Sequence, residues 1–515
     1  MPVKESDICI IGGGISAAML AQKLSELHPG IAIQVIEAGR TTFDLPGRFA
    51  NRRREQLYGE NPWPDDFIPD QVADGQISHT MALGGQALHW GGTCNRFSRE
   101  DLELRSRYGL YTDWPIQWDD LERYYCEAER RLGVSGAPSP FPEDKPSQPY
   151  PMAAMPLSWT LEQYKVWGEK AGFPFQGVPQ AKNTVAYDGR AACQRCGTCD
   201  ICPTGAKYSP DFTFQALLKA GKIQIDDHTL IRRLVLEPGK STVAAAQGNR
   251  RDGSGTAVEY RAKKFVLAAG YTWSSHLLLL SSLANRSGQV GKYMNGHEFT
   301  TAIIELDAEV YPGMNPDYGL ISRQFFRCAA GGGDYVRHDL RIFEFSPRAQ
   351  PRLKNDQGQW LFGDEVGEDW RQRKRAAARV RAYCDVHPDA TSELTLDPSQ
   401  RNQWGDPLPK IVHRFDAATQ ARAGATQDHL AKVFARMAAN QSGKIVSVSQ
   451  GNYLDHPAGG CRMGNDPATS VCDSFGRTHD HENLFVVGAP TLPAAGCTNG
   501  TLTFVALTLR SATAI

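Results

Sequence analysis

Long apolar runs are missing from this 515-residue sequence: no stretch approaches the roughly 20 residues that a membrane-crossing helix requires. Excess charge of either sign is missing too, since 56 Lys and Arg face 57 Asp and Glu. A net charge of −1 supplies no global positive field for nucleic acid or acidic lipid. Internal repeats and low-complexity tails are absent. The start, Met1-Pro2-Val3-Lys4-Glu5-Ser6-Asp7, runs at once into strand-like residues and leaves no room for a secretory apolar segment. The expectation is that the polypeptide stays in the cytoplasm or leaves it attached to a partner that carries the signal. What remains is ordinary globular material, 41% apolar and 22% charged, long enough for roughly two to four domains.

The clearest local pattern is at the front. Ile8 to Ile11 is a short apolar run that ends in Gly12-Gly13-Gly14. Ser16 to Leu27 then has Ala17, Leu20, Ala21, Leu24 and Leu27 at helical spacing, stopped by Pro29-Gly30. Ile31 to Ile36 reads as a second strand, ending in Glu37. This is a βαβ unit with a dinucleotide fingerprint. Gly12 allows the tight turn, Gly14 the close approach of pyrophosphate, and Ala17 close helix–sheet packing; Glu37 accepts ribose hydroxyls. An acid at that position argues against a 2′-phosphate and leaves FAD and NAD both open.

Further apolar strands are expected at Phe265 to Gly270 and Leu484 to Gly488, and helices at Trp118 to Leu132, Leu277 to Leu280, Asp369 to Arg381 and Thr501 to Ser511. Strands of nucleotide-binding character thus recur far apart, so one domain is assembled from separated pieces around an insertion. We expect an FAD-domain segment over 1–45, then cofactor-covering loops with part of the substrate domain and a Cys loop over 46–205. A second FAD-domain segment follows over 206–299, a substrate domain over 300–445, and a third FAD-domain segment with the catalytic loops over 446–515.

Two Gly-rich motifs lie near the end: His456-Pro457-Ala458-Gly459-Gly460-Cys461 in a loop, and Gly496-Cys497-Thr498-Asn499-Gly500-Thr501, which opens the last helix. Alone, His456 reads as a structural hydrogen-bonder and Asn499 as a helix cap. Together with the Gly12 fingerprint, Gly84-Gly85-Gln86-Ala87-Leu88-His89-Trp90, Ala268-Ala269-Gly270 and Val290 to Asn295, they resemble the glucose–methanol–choline (GMC) oxidoreductases from end to end. The resemblance implies an α/β fold: a discontinuous Rossmann-like FAD-binding domain with an inserted α+β substrate-binding domain. It implies FAD as cofactor, held by Gly12, Gly14, Ala17, Glu37, Gly84, Gly85, His89, Trp90, Leu230, Ala269, Gly270, Gly488, Asn499 and Thr501. It also implies that His456 and Asn499 face flavin N5. Neutral imidazole then takes the hydroxyl proton while Asn499 holds the substrate oxygen. The segment around His89 resembles pyranose oxidases, in which the corresponding His is bonded to the flavin; the plain reading is a His packed near the isoalloxazine.

Twelve Cys are present, and four form a ladder: Cys193, Cys196, Cys199 and Cys202, the last followed by Pro203. Disulfides suit so tight a ladder poorly. Zinc and an iron–sulfur cluster both suit it, and a flavin nearby gives a one-electron relay an obvious use. With Asp113 to Ile116, Gln148 to Met152 and Cys202 to Tyr208, the sequence resembles the large subunits of bacterial FAD-dependent glucose, gluconate, fructose and glucoside 3-dehydrogenases. That resemblance implies a cluster, [3Fe–4S] or [4Fe–4S], a small signal-bearing subunit and a cytochrome or other electron acceptor. The Cys spacing departs from the glucose enzymes, and the His456 motif is nearer the pyranose-oxidase form, which leaves C1 and C3 of a pyranose both open. The expectation is a dehydrogenase acting on a sugar or glycoside hydroxyl. Its rivals are an oxidase that uses O2 and a non-catalytic flavoprotein scaffold; the His456 and Asn499 pair speaks against the scaffold.

Overall fold

The computed structural model describes residues 2–41, 47–48, 50, 67–68, 79–141, 146–196, 199, 202–305, 319–327, 337–345, 353–373, 377–414, 417–440 and 443–515. Part of the cofactor-covering region expected over 46–205 lies outside these residues. Among the described residues, no helix is long and apolar enough to cross a membrane.

Val3–Ile11 starts exposed and ends buried, and it is the centre of the first sheet. It pairs in parallel with Ile33–Ile36 on one side and with Ala257–Leu267 on the other. Gln224–Asp226 extends the sheet beyond Ile33–Ile36, and Leu484–Val486 joins Ala257–Leu267, both in parallel. Thr229–Leu236 and Val243–Arg250 form an antiparallel extension. Strands covered on both faces need apolar side chains throughout, as Ile8 to Ile11 and Phe265 to Leu267 supply. The helix Ile15–Leu27 lays Ala17, Leu20, Ala21 and Leu24 on Ile8, Ile10 and Val266. Ala17 is fully buried there, so its part is packing and not contact with a ligand. The last helix, Thr501–Ser511, packs on Trp118–Leu132, where the Tyr125 and Thr503 hydroxyls lie 2.8 Å apart.

The second sheet is antiparallel throughout. Its order is Lys444–Ala458, Asn295–Glu305, Ala377–Cys384, Leu340–Phe345, Gly319–Ser322, Gln176–Gly177. Period-2 alternation divides its faces. Ala302, Ile304, Leu340, Ile342, Ala378, Val380 and Ala382 turn to the helices Trp159–Lys170 and Ala417–Ala439. The alternate positions Phe299, Thr301, Arg341, Arg381 and Tyr383 therefore share the other face. Register places Arg341 beside Arg381, Arg381 beside Thr301, and Tyr383 beside Phe299.

Several expectations change. The helix expected over Asp369 to Arg381 ends at Arg373 and is followed by the strand Ala377–Cys384. The alternating Ala378, Val380 and Ala382 bury on helices, and that tertiary packing overrides a charged, helix-like composition. His456 is not in a loop: Lys444–Ala458 continues through it, because its far end pairs with Asn295. Asn295–Glu305 straddles the expected boundary at 299/300, and Lys444–Ala458 the one at 445/446.

Candidate active site

A cavity of about 1030 Å3 opens at the carboxyl ends of the parallel strands and extends to the polar face of the second sheet. Gly12, Gly13, Gly14 and Ser16 line its inner end with the unsatisfied N-terminus of the first helix. Gly12 has φ +105°, and a Cβ there would meet the Ala268 carbonyl oxygen at 2.6 Å. At Gly14 a Cβ would meet nothing within 4 Å, so the backbone lies open to the cavity. The Glu37 carboxylate accepts from the N–H groups of Gly13 and Gly39, each at 2.8 Å, and holds the turn. Burial pushes its pKa up against those bonds. The opening at Gly14, the helix N-terminus and the acid at Glu37 fit the adenosine and pyrophosphate of FAD.

At the other end, His456 and Asn499 meet. Asn499 Nδ2 lies 2.5 Å from His456 Nε2. The amide is not free to turn, because Arg341 donates to Asn499 Oδ1. Its NH2 therefore faces the imidazole, Nε2 accepts, and the proton of the neutral ring is on Nδ1. That Nδ1 is buried without a hydrogen-bond partner among the described residues. Burial, then the Arg341 and Arg381 charges, push the His456 pKa down to about 3. The ring is a neutral base at physiological pH. Its backbone has φ +57°, a region non-glycine residues rarely occupy and one that recurs at functional sites.

Arg341 is itself fixed: Asp339 accepts from its Nε at 2.7 Å. Thr498 donates to Asp339 at 3.2 Å and accepts from Arg341 at 3.1 Å and from Asn95 at 3.0 Å. Asp339, Arg341, Asn499 and His456 form a hydrogen-bonded chain from the second sheet to the mouth of the last helix. Tyr383 and His297 ring the imidazole, with centroids 5.4 and 5.2 Å away.

Gly12, Gly14, Glu37, Gly85, Trp90, Leu230, Ala269, Gly270, Gly488 and Thr501 all line the cavity, as does His456. Ala17, Gly84, His89 and Asn499 do not line it directly. Gly84 donates to the Gly13 carbonyl at 2.8 Å and braces the turn. His89 is half-buried; burial, then the Lys207 and Arg48 charges, push its pKa down to about 3. Sequence reading missed Asp339, Arg341, Arg381, Tyr383 and His297. The available signal was the alternation around Leu340-Arg341-Ile342 and Val380-Arg381-Ala382.

The four ladder cysteines are half-buried, and no described cysteine is in a disulfide. Lys182 Nζ donates to Cys199 Sγ at 2.9 Å, and the Lys207 N–H to Cys202 Sγ at 3.4 Å. Burial raises the Cys202 pKa, but the Lys207 N–H, Thr204 and the Lys207 charge outweigh it and the net shift is downward. Thiolate chemistry thus fits. Placement does not: among the described residues, no group of three or more His, Cys, Asp or Glu could hold a metal ion. Each sulfur of Cys199 and Cys202 is drawn to its own donor. The loop adjoins the cavity wall, since Lys207 Nζ donates to the Trp90 carbonyl at 2.6 Å and Trp90 lines the cavity.

Comparison with known proteins agrees with this geometry. The GMC oxidoreductase N- and C-terminal family profiles match residues 7–299 and 388–508. The fructose dehydrogenase large subunit of Gluconobacter japonicus is 28% identical over 99% of this chain and 97% of its own length. The 6'''-hydroxyparomomycin C oxidase of Streptomyces lividus is 28% identical over 99% of this chain and 91% of its own. Pyridoxine 4-oxidase from Mesorbium loti shares the fold, with TM-score 0.63 at 18% identity, covering 99% of this chain and 98% of that one. With the family match spanning most of its length, this chain belongs to the GMC oxidoreductase family, as an FAD-dependent oxidoreductase acting on CH–OH groups.

Proposed function

We propose that the protein is a dehydrogenase that oxidises a hydroxyl of a sugar or glycoside, at C1 or C3 of a pyranose, and delivers the electrons to an external acceptor. The observation that carries this reading is the 2.5 Å pair of Asn499 Nδ2 and a neutral His456 Nε2 beside a cavity large enough for a dinucleotide. Similarity to a fructose dehydrogenase large subunit supports the sugar.

Bound FAD supplies the two-electron acceptor for the carbinol hydrogen. The residues of this chain do the rest. A substrate hydroxyl entering between the pair donates its proton to His456 Nε2. Asn499 Nδ2, its orientation fixed by Arg341, donates to the substrate oxygen. The ring begins neutral and ends as imidazolium, so the reaction needs no strong base from solvent. Arg341 keeps the Asn499 carbonyl occupied, which stops the amide from turning its oxygen toward the substrate.

The finer part of the reading is an iron–sulfur cluster on Cys193, Cys196, Cys199 and Cys202, which when bound supplies one-electron transfer. Its support is the spacing of the Cys ladder, the lowered Cys202 pKa and the contact of the loop with Trp90. The name "large subunit" on the fructose dehydrogenase supports a partner subunit. The sequence resemblance adds to the proposal that this partner is small and bears the signal, that the pair is co-exported to the periplasm and that a cytochrome is the acceptor.

The test is the visible spectrum and iron content of protein purified without oxygen, followed by addition of glucose or a glucoside. Flavin bands bleached by sugar, with about three or four irons per chain, are the expected result. Flavin without iron, and peroxide formed from sugar and air, would replace the relay with an oxidase.

A further inference from the structure

The hairpin of Glu393–Arg401 and Pro407–Val412 lies in the span expected for the substrate domain, yet its tip lines the nucleotide end of the cavity. Its strands pair with each other and join neither large sheet. The base is held: Leu394 N–H donates to the Gly291 carbonyl at 2.7 Å, and Met294 N–H to the Ser392 carbonyl at 3.0 Å. Beyond the base the ladder is interrupted. Leu396 pairs with Pro409 and the next pair is Arg401 with Pro407, so Asp397 to Gln400 bulge out of it. The tip is a turn closed on itself. Asn402 Oδ1 accepts from the N–H groups of Trp404 and Asp406, each at 3.0 Å, and Gly405 has φ +83°.

Arg232, on Thr229–Leu236, fastens this tip to the flavin sheet. Nε donates to Asp406 Oδ2 at 2.5 Å and Nη2 to Asp406 Oδ1 at 2.8 Å; Nη2 also donates to the Trp404 carbonyl at 2.9 Å. Two parallel bonds from a planar guanidinium fix direction as well as distance. The strand locates the fastening. Thr229 N–H donates to the Glu37 carbonyl at 2.9 Å, so the strand starts beside the residue that marks the ribose. Arg232 lies three residues on, about 10 Å at the rise of a strand. An adenine beyond the ribose therefore reaches Arg232, Trp404 and Asp406, which line the cavity together with Glu37. The half-buried Trp404 indole is a ring that a purine can stack on. The ion pair is also one that can part. The Arg232 side chain is 24% exposed and that of Asp406 9%, so both charges regain water on separation. Arg337, wholly buried between Asp101 and Asp385, has no such route.

From a hairpin with a fixed base, a broken ladder and a tip fastened through one arginine across the adenosine end, we infer that the Arg232–Asp406 pair is a latch for FAD. Open, it admits the cofactor; closed, it holds the adenine against Trp404. The inference is independent of which hydroxyl is oxidised and of where the electrons go.

The test is FAD exchange in the full-length protein. Release is followed by flavin fluorescence after dilution, and loading by fluorescence quenching when FAD is added to protein freed of it. A lid that must open first slows both directions, so Asp406→Asn is expected to speed release and loading alike, each roughly 10-fold. Arg232→Lys keeps the charge without the parallel bonds and is expected to fall between, and it carries the same test should Asp406→Asn not fold. Trp404→Ala is expected to speed release with loading as in the wild type, and Trp404→Phe to restore retention. Three results overturn the inference. Release no faster than wild type in the latch variants would show that something else, a covalent bond included, retains FAD. Faster release with unchanged loading would make the pair a contact and not a latch. Equal release from Trp404→Phe and Trp404→Ala would remove the indole as the adenine wall.

Discussion

Arg341 reaches the reaction through an amide. It occupies the Asn499 carbonyl, so the NH2 faces His456, and with burial it keeps the imidazole uncharged. Replacing it with Met frees the amide to turn and removes a cation from beside the ring. We expect substrate-driven flavin reduction to slow roughly 100-fold, with FAD content retained. The pH profile separates this from a structural role. With the His456 pKa near 3, the wild-type rate should be flat from pH 5 to 8. In Arg341→Met the pKa rises and the acid limb shifts to higher pH, while Arg341→Lys reverses part of that shift. A profile identical to wild type would remove Arg341 from the mechanism. His456→Ala should slow reduction about 10²- to 10⁴-fold, and an unchanged rate in stopped-flow measurements would end its assignment as base.

Neighbouring glycines in one turn should behave differently when changed to Ala. Gly12→Ala places a Cβ against the Ala268 carbonyl in a left-handed conformation, and should lower stability or prevent folding. Gly14→Ala meets open space with φ −82°, so the fold should survive while FAD affinity falls, because the methyl fills the cradle. Thermal melts together with retained flavin on desalting distinguish the two. This turn was legible in the sequence because strand, glycines, helix and acid fall within 37 residues and each has one physical job. The helices Trp118–Leu132 and Thr501–Ser511 were legible through periodicity as well. The second sheet was not. Its strands pair across long separations, and its polar positions carry Arg: Arg341 lies between Leu340 and Ile342, and Arg379 and Arg381 follow Arg373-Lys374-Arg375. Read locally, that is a charged helix; only packing on Trp159–Lys170 and Ala417–Ala439 reveals a strand with a functional face. The same blindness hid Asp339, Arg341 and Tyr383. His456 and Asn499 were found through resemblance, since neither residue is distinctive alone.

Across the whole molecule, buried histidines couple stability to acid. Burial pushes the His338 pKa from 6.5 down to about 3. Between those values the unfolded chain takes up a proton that the folded chain does not, so stability is lost as pH falls. The buried acids Glu37 and Asp339 have raised pKa values and act in the opposite sense, so the histidine contribution is best isolated by difference. Denaturant titrations of wild type and His338→Gln should diverge by at most about 1.4 kcal/mol per pH unit between pH 6.5 and 3, the variant being the less acid-sensitive. Parallel curves would show that His338 is protonated in the folded protein. At this scale the chain also has an architectural economy. Between Asn295 and Ala458 it builds all of the second sheet except the edge strand Gln176–Gly177, and those two residues are partners in the ladder. The excursion between them begins and ends at one point, so recombination there could exchange five of the six strands without moving the flavin sheet, while Gln176–Gly177 and the covering helix Trp159–Lys170 stay with the host. Since His456 lies just inside the exit, such an exchange would carry the base along with the surface that selects the substrate, and Asn499 would stay behind with the cofactor. On the proposed mechanism the base would travel with the transplanted sheet, and the 2.5 Å bond between His456 and Asn499 is where that sheet must fit its host.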